Sequence, residues 1–267
     1  MKGVRVRVLA RNPSMLSPLD SKYSDRLSIV KGDATKAEDV AQLISNSQVS
    51  HVICALGVRM NEPTTVVENG VINAISVMKK LDREMRFVLV TSSALVKSNS
   101  NWFFDNIVKK HLLNHIYDDL ERAEKALVEL TKDSKISYAI VRPPQLVDAP
   151  ATLDLIYKEG DEQPKGTHLV TREDVASVLL ECIFDKQFNT GNRIFNVDTT
   201  RKLDVKVDVI KILRSVTPYP KYLMIRSFMF SIQAAIGFLI GFSLFKLKSL
   251  LFPQLEEHII KYLSKHK

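Results

Sequence analysis

The chain has 267 residues, 45% hydrophobic and 25% charged, a balance that supports a sizeable core and excludes general disorder. Two cysteines exclude a disulfide scaffold, and nine glycines with ten prolines exclude a collagen-like or low-complexity fibre. The net charge of +8 is unevenly placed. Residues 1–200 carry 26 basic and 26 acidic side chains, whereas residues 201–267 carry 12 and 4, so the whole excess lies in the last quarter.

In chain order, residues 1–200 alternate between two hydrophobic periods. Residues 4–9 (VRVRVL), 27–30 (LSIV), 51–56 (HVICAL), 86–91 (RFVLVT) and 136–141 (ISYAIV) are short β-branched runs. The later three show little polar alternation, as expected of parallel strands buried on both faces. Stretches of helical period lie between them. Residues 35–44 open with Thr35 and Glu38 at capping-box spacing. Residues 64–81 place Val67, Val71, Ala74, Ile75 and Met78 on one face. Residues 102–130 form a long helix or helix pair, and residues 171–184 open with Thr171 and Asp174 in an acidic version of the same cap. This alternation predicts an α/β doubly wound parallel sheet.

Ligands of such sheets bind beyond the carboxyl ends of the strands. Arg11 suits a phosphate or a solvated surface. Asp33 suits an adenine amine or a helix cap. Ser92 and Ser93 suit a substrate carbonyl or the satisfaction of strand-end backbone groups. Cys54 and Cys182 fall on apolar faces and read as core thiols of a reducing compartment.

The ordered runs VRVLARNPSML, IVKGDATKAEDV, HVICALG, RFVLVTSSA and YAIVRPPQLVD, followed by TREDVASVLL and GNRIFNV, resemble the atypical short-chain dehydrogenases of the NmrA-like, NAD(P)H-binding, flavin-reductase-like type. The resemblance spans residues 4–197 and implies a Rossmann-like fold. It implies NADP as cofactor, with NAD as the alternative. Arg11, helped by Ser14, would meet the 2′-phosphate. Asp33 and Ala34 would flank the adenine, and Ala55, Leu56 and Gly57 would line the ribose. Thr91, Ser92 and Ser93 would stand at the nicotinamide, the two serines as catalytic groups, with Pro143 and Pro144 closing over its amide. The substrate would be a small carbonyl, quinone or flavin-type compound.

Two departures from the family pattern bear on function. The family opens with a central strand and a glycine-rich turn that holds the pyrophosphate. Here the pattern begins at the second strand, so the first βα unit is expected to be missing and the chain to be a shortened form. The flanking strands are then expected to face each other across a gap or to pair directly. The family's tyrosine and lysine, which relay a proton, align with Ile116 and Leu120. Tyr117 stands one residue away and is followed at helical spacing by Glu121. His111 and His115 share a helical face without a third ligand of convincing spacing, so no metal site is expected. Lys109 and Lys110 read as a solvated helix face. A non-catalytic redox sensor or scaffold is the alternative these departures motivate.

The basic region 201–267 contains one uncharged apolar run, residues 228–245 (FMFSIQAAIGFLIGFSLF). Its length just reaches that needed to cross a bilayer core. Lys221, Arg226, Lys246 and Lys248 flank it, and Gly237 and Gly241 stand at the spacing of close helix approach. It is expected to associate with a membrane, burial in a protein core being the alternative. With residues 1–20 lacking a signal-like apolar stretch, the cytoplasmic face is the expected location. No nucleic-acid-binding motif is found.

Overall fold

The computed structural model describes residues 4–45, 48–58, 62–96, 109–110 and 113–203. The apolar run 228–245 and His111 lie outside the described residues. Among those described, no helix is long and apolar enough to cross a membrane.

The chain order is β1 (Val6–Ala10), α1 (Ser17–Tyr23), β2 (Leu27–Lys31), α2 (Ala37–Ile44), β3 (His51–Cys54), α3 (Val66–Lys80), β4 (Met85–Val90), α4 (Asn114–Thr131), β5 (Ile136–Arg142), β6 (Gln145–Val147), β7 (Leu155–Glu159), β8 (Leu169–Thr171), α5 (Arg172–Phe184) and β9 (Arg193–Thr199). The five expected strands and the helices opening near residues 64 and 171 are all present. The α/β reading therefore holds.

The main sheet has the order β3-β4-β5-β9-β7. β3, β4, β5 and β9 run parallel, and β7 pairs antiparallel to β9 at the edge. Alternation along β4 divides its side chains between two cores. Phe87 and Leu89 enter a cluster with Val71, Ile75 and Met78 of α3 and with Leu127 of α4. Val88 enters a second cluster with Val175, Val178 and Leu179 of α5. Helices therefore cover both faces, as a parallel sheet requires.

β1 and β2 form a separate two-stranded parallel sheet. Among the described residues, no ladder joins β1 to β3. Among the described residues, the flanking strands thus do not pair directly. The two parts are linked through helices. Leu9 packs against the α2–α3–α4 core, and Arg7 donates to the Gln42 carbonyl of α2. Gly70 of α3 allows close approach: a Cβ there would lie 2.4 Å from Leu56 Cδ1 and 3.6 Å from Ala34 Cβ. Asn73 Nδ2 donates to the Ala34 carbonyl at 2.9 Å. The carboxyl ends of β2 and β3 thus meet on one helix.

One cap differs from expectation. α2 begins at Ala37 with no side-chain cap, because Thr35 Oγ1 donates instead to Asp33 Oδ1 at 2.9 Å. The cap of α5 is as expected, with Thr171 accepting from the Asp174 N–H at 3.0 Å.

Candidate functional site

A cavity of about 470 Å³ opens at the carboxyl ends of β3 and β4, a size that suits a cofactor or small-molecule site. The segment after β3 supplies Ala55, Leu56, Gly57 and Val58, and β4 contributes Val90 with Thr91 just beyond it. Arg172, Val175 and Leu179 of α5 form part of the opposite wall. Four of the sequence-derived residues, Ala55, Leu56, Gly57 and Thr91, therefore line one cavity. Ile116 and Leu120, which stand at the proton-relay positions of the family pattern, line it too. The cavity wall at those positions is apolar.

Thr91 is positioned from below. Its N–H donates to the Val141 carbonyl at 2.9 Å, and its hydroxyl donates to Glu124 Oε1 at 2.6 Å. Glu124 also holds Arg142 in two hydrogen bonds, Nε to Oε1 at 3.0 Å and Nη2 to Oε2 at 2.6 Å. This buried fork ties the carboxyl ends of β4 and β5 to α4. The Ser93 N–H donates to the Pro143 carbonyl at 2.9 Å, so the serine pair and the proline pair lie side by side. Gln163 Nε2 donates to the Ser93 carbonyl at 2.7 Å.

Ser92 accepts from the Ala94 N–H at 3.3 Å and lies near the Tyr117 side chain. Burial pushes the Tyr117 pKa above its ordinary value, and the nearby Ser92 hydroxyl opposes that shift. Lys109 Nζ donates to the Ala94 carbonyl and stands 5.7 Å from the Tyr117 ring centroid. Lys109 is half-buried, which corrects the expectation of a solvated lysine. A serine, a tyrosine and a lysine thus meet beside the strand ends. The spacing gave no sign of this cluster, because Lys109 precedes Tyr117 by eight residues instead of following it by one helical turn.

The remaining sequence-derived residues stand apart from the cavity lining. Arg11 and Ser14 are exposed beyond β1, and Ser14 Oγ donates to Asn12 Oδ1 at 2.6 Å. The Asp33 carboxylate accepts from the Thr35 N–H and hydroxyl, both at 2.9 Å, and the N–H bond is the main reason its pKa is lowered. Ala34 meets α3 through its carbonyl. Cys54 and Cys182 are free and buried, and burial pushes both thiols up to about 11. They are therefore protonated at neutral pH and inert as nucleophiles. Among the described residues, no cluster of His, Cys, Asp and Glu is arranged to hold a metal.

The cavity, with polar strand ends beside it, has room for part of a dinucleotide. A glycine-rich turn for the pyrophosphate is not found among the described residues.

A family model described as NAD(P)H-binding matches residues 1–186. No curated protein sequence matches significantly. Among solved structures, ChuY, an anaerobilin reductase from Escherichia coli, is similar with a TM-score of 0.54 and 20% identity over 76% of this chain and 87% of its own. A wide-type short-chain dehydrogenase/reductase from Veillonella parvula, in complex with NADP, gives 0.54 and 16% over 75% and 87%. The oxidoreductase ylbE from Lactococcus lactis gives 0.52 and 16% over 79% and 84%. At these identities the structures establish a shared fold. With a family model matched over residues 1–186 and the strand order in agreement with it, the chain belongs to the NAD(P)H-binding family that this model describes.

Proposed function

We propose that this domain is an NADPH-dependent oxidoreductase acting on a small carbonyl, quinone or flavin-type substrate. The observation that carries this reading is the cavity at the ends of β3 and β4, lined by Ala55, Leu56, Gly57 and Thr91. In this reading Arg11 meets the 2′-phosphate, with Ser14 beside it, and NAD is the weaker cofactor. Asp33 and Ala34 flank the adenine. Thr91, Ser92 and Ser93 face the nicotinamide, and Pro143 and Pro144 lie over its amide. When bound, the cofactor supplies the hydride, and the protein supplies orientation and a dry wall.

The proton is assigned to the Ser92–Tyr117 pair. Ile116 and Leu120 carry no proton, and the Thr91 hydroxyl is committed to Glu124. Tyr117 is a neutral phenol at neutral pH, and burial raises its pKa further. The Lys109 ammonium stabilises the phenolate formed on transfer. Tyr117→Phe is expected to lower kcat by about 100-fold or more while leaving the NADPH Kd unchanged. Unchanged turnover would remove Tyr117 from the mechanism.

The cofactor reading is tested on the full chain by thermal shift. NADPH at about 100 times its Kd adds about 2.7 kcal/mol of stability, and Arg11→Ala is expected to reduce that gain for NADPH but not for NADH. Absence of any shift at millimolar cofactor sinks the reading. The apolar side chains at 116 and 120 favour a second reading, a cofactor-binding sensor without turnover. Stabilisation by NADPH without reduction of any carbonyl, quinone or flavin would select it.

Residues 228–245 and their basic flanks are assigned to holding the domain at the cytoplasmic face of an anionic membrane. The full chain is expected to float with phosphatidylserine-containing vesicles. Failure to float at low salt rejects the tether.

A further inference from the structure

We propose that the substrate carries a carboxylate and that Arg172, on the wall of the cavity, is the group that takes it. The proposal rests on the oxidoreductase reading and narrows its substrate class. Arg172, Val175, Ala176 and Leu179 all line the cavity. They stand at i, i+3, i+4 and i+7 along α5, so one face of that helix forms the wall. Among the described residues of the lining, Arg172 is the single ionisable one. The other polar side chain there, Thr91, gives its hydroxyl to Glu124. A ligand in this cavity therefore meets apolar walls and one cation. The matching chemistry is an apolar ring or chain that ends in an anion.

The place of that cation follows from the strand ribbon beside it. β6 and β8 pair in parallel, with Val147 opposite Thr171. The next residues along the two segments are Asp148 and Arg172, and their side chains meet, Arg172 Nη1 donating to Asp148 Oδ1 at 2.6 Å. The Arg172 side chain is 56% exposed and that of Asp148 is 87% exposed. A pair this exposed contributes little to stability, so a ligand displaces Asp148 at small cost. The Asp148 carboxylate thus stands in for a ligand carboxylate, on one arm of a fork whose geometry suits two oxygens. The neighbouring acids are engaged elsewhere. Glu173 accepts from the Ala151 N–H at 3.0 Å, and Asp174 is committed to Thr152, Leu153 and Thr171. α5 also opens on a cation, although a helix N-terminus favours anions. Arg172 and the helix end therefore attract an anion together.

The experiment is equilibrium dialysis of the full chain, without cofactor, against 2-naphthoate and against its uncharged analogue 2-naphthalenemethanol. The carboxylate is expected to bind about 10-fold more tightly than the alcohol. Arg172→Leu is expected to abolish that preference with Tm unchanged, since the side chain is exposed. Asp148→Asn is expected to strengthen naphthoate binding by about 3-fold, because the internal competitor is gone. Saturating NADPH is expected to leave naphthoate bound. Displacement by NADPH would assign Arg172 to a cofactor phosphate and overturn the proposal. Failure of naphthoate to bind, equal binding of the two ligands, or a preference that survives Arg172→Leu overturns it as well. If NADPH fails to stabilise the chain, the cofactor reading falls by itself, and the dialysis without cofactor still decides whether Arg172 takes a carboxylate.

Discussion

Replacing Glu124 by leucine is expected to destabilise the domain by about 3–5 kcal/mol, the cost of leaving one member of a buried ion pair unpaired. The Arg142 side chain is 8% exposed and that of Glu124 is 10% exposed. The guanidinium gives two hydrogen bonds to Glu124 and a third, at 3.0 Å, to Asp161. Asp161 is 88% exposed and cannot carry the charge alone. In Glu124→Leu the guanidinium stays inside without its fork, and the Thr91 hydroxyl loses its acceptor. A loss of that size lowers Tm by on the order of 10 °C in a domain of this length. Asp161→Asn is expected to change stability by no more than about 1 kcal/mol, as for a solvent-exposed pair. The double variant Glu124→Leu with Arg142→Met is expected to recover most of the loss, because no buried charge remains. A single variant that melts with the wild type would show that the fork contributes nothing to stability.

Asp174→Ala is expected to cost about 2–4 kcal/mol, since each buried donor left unsatisfied costs about 1–3 kcal/mol. Asp174 is fully buried at the first turn of α5. Its carboxylate accepts from the Thr152 N–H at 2.9 Å, the Leu153 N–H at 3.0 Å and the Thr171 hydroxyl at 2.8 Å. Leu153 has a φ of 55°, in the left-handed region that side chains avoid. The hydrogen bond to Asp174 holds it there. Burial pulls the Asp174 pKa upward, but these hydrogen bonds outweigh it and hold the folded value below 3.8. A depressed carboxylate pKa stabilises above the unfolded pKa and stops doing so as pH falls through the folded one. The Tm difference between wild type and Asp174→Ala is therefore expected to be constant near neutrality and to shrink below about pH 4. Asp198 has the opposite sign, because burial raises its pKa. The comparison must therefore be between variants at each pH. A difference that does not shrink in acid would mean that the carboxylate charge plays no part.

The parallel strands were legible because a strand buried on both faces leaves a continuous β-branched run, as in β4 and β5. β6 and β8 left no such trace at three residues each, and β7 (LIYKE) is a half-exposed edge. The failed cap at Thr35 shows a local competition: Asp33, two residues earlier, takes the hydroxyl first. Within the site, Gly57 and Thr91 were legible because the topology rule points to carboxyl strand ends, whereas Ala55 and Leu56 came from the family resemblance. The meeting of Ser92, Tyr117 and Lys109 was not, since it depends on the path of the chain between β4 and α4.

A two-stranded ribbon is marginal on its own in water. β1 and β2 lack a partner strand in the main sheet among the described residues and hold to the rest chiefly through α2 and α3. Among the described residues, 6–31 thus have a weaker tie to the centre of the domain than β4 and β5. They would detach at a lower free energy than β4 and β5 and be cut before those strands by a protease that samples such openings. The residues assigned to the adenosine end, Arg11 and Ser14, lie on this loosely tethered lobe, whereas Thr91 and Ser92 follow a central strand of the main sheet. In the proposed function, grip on the cofactor and transfer of the hydride would then depend on parts of the domain with different ties to its centre.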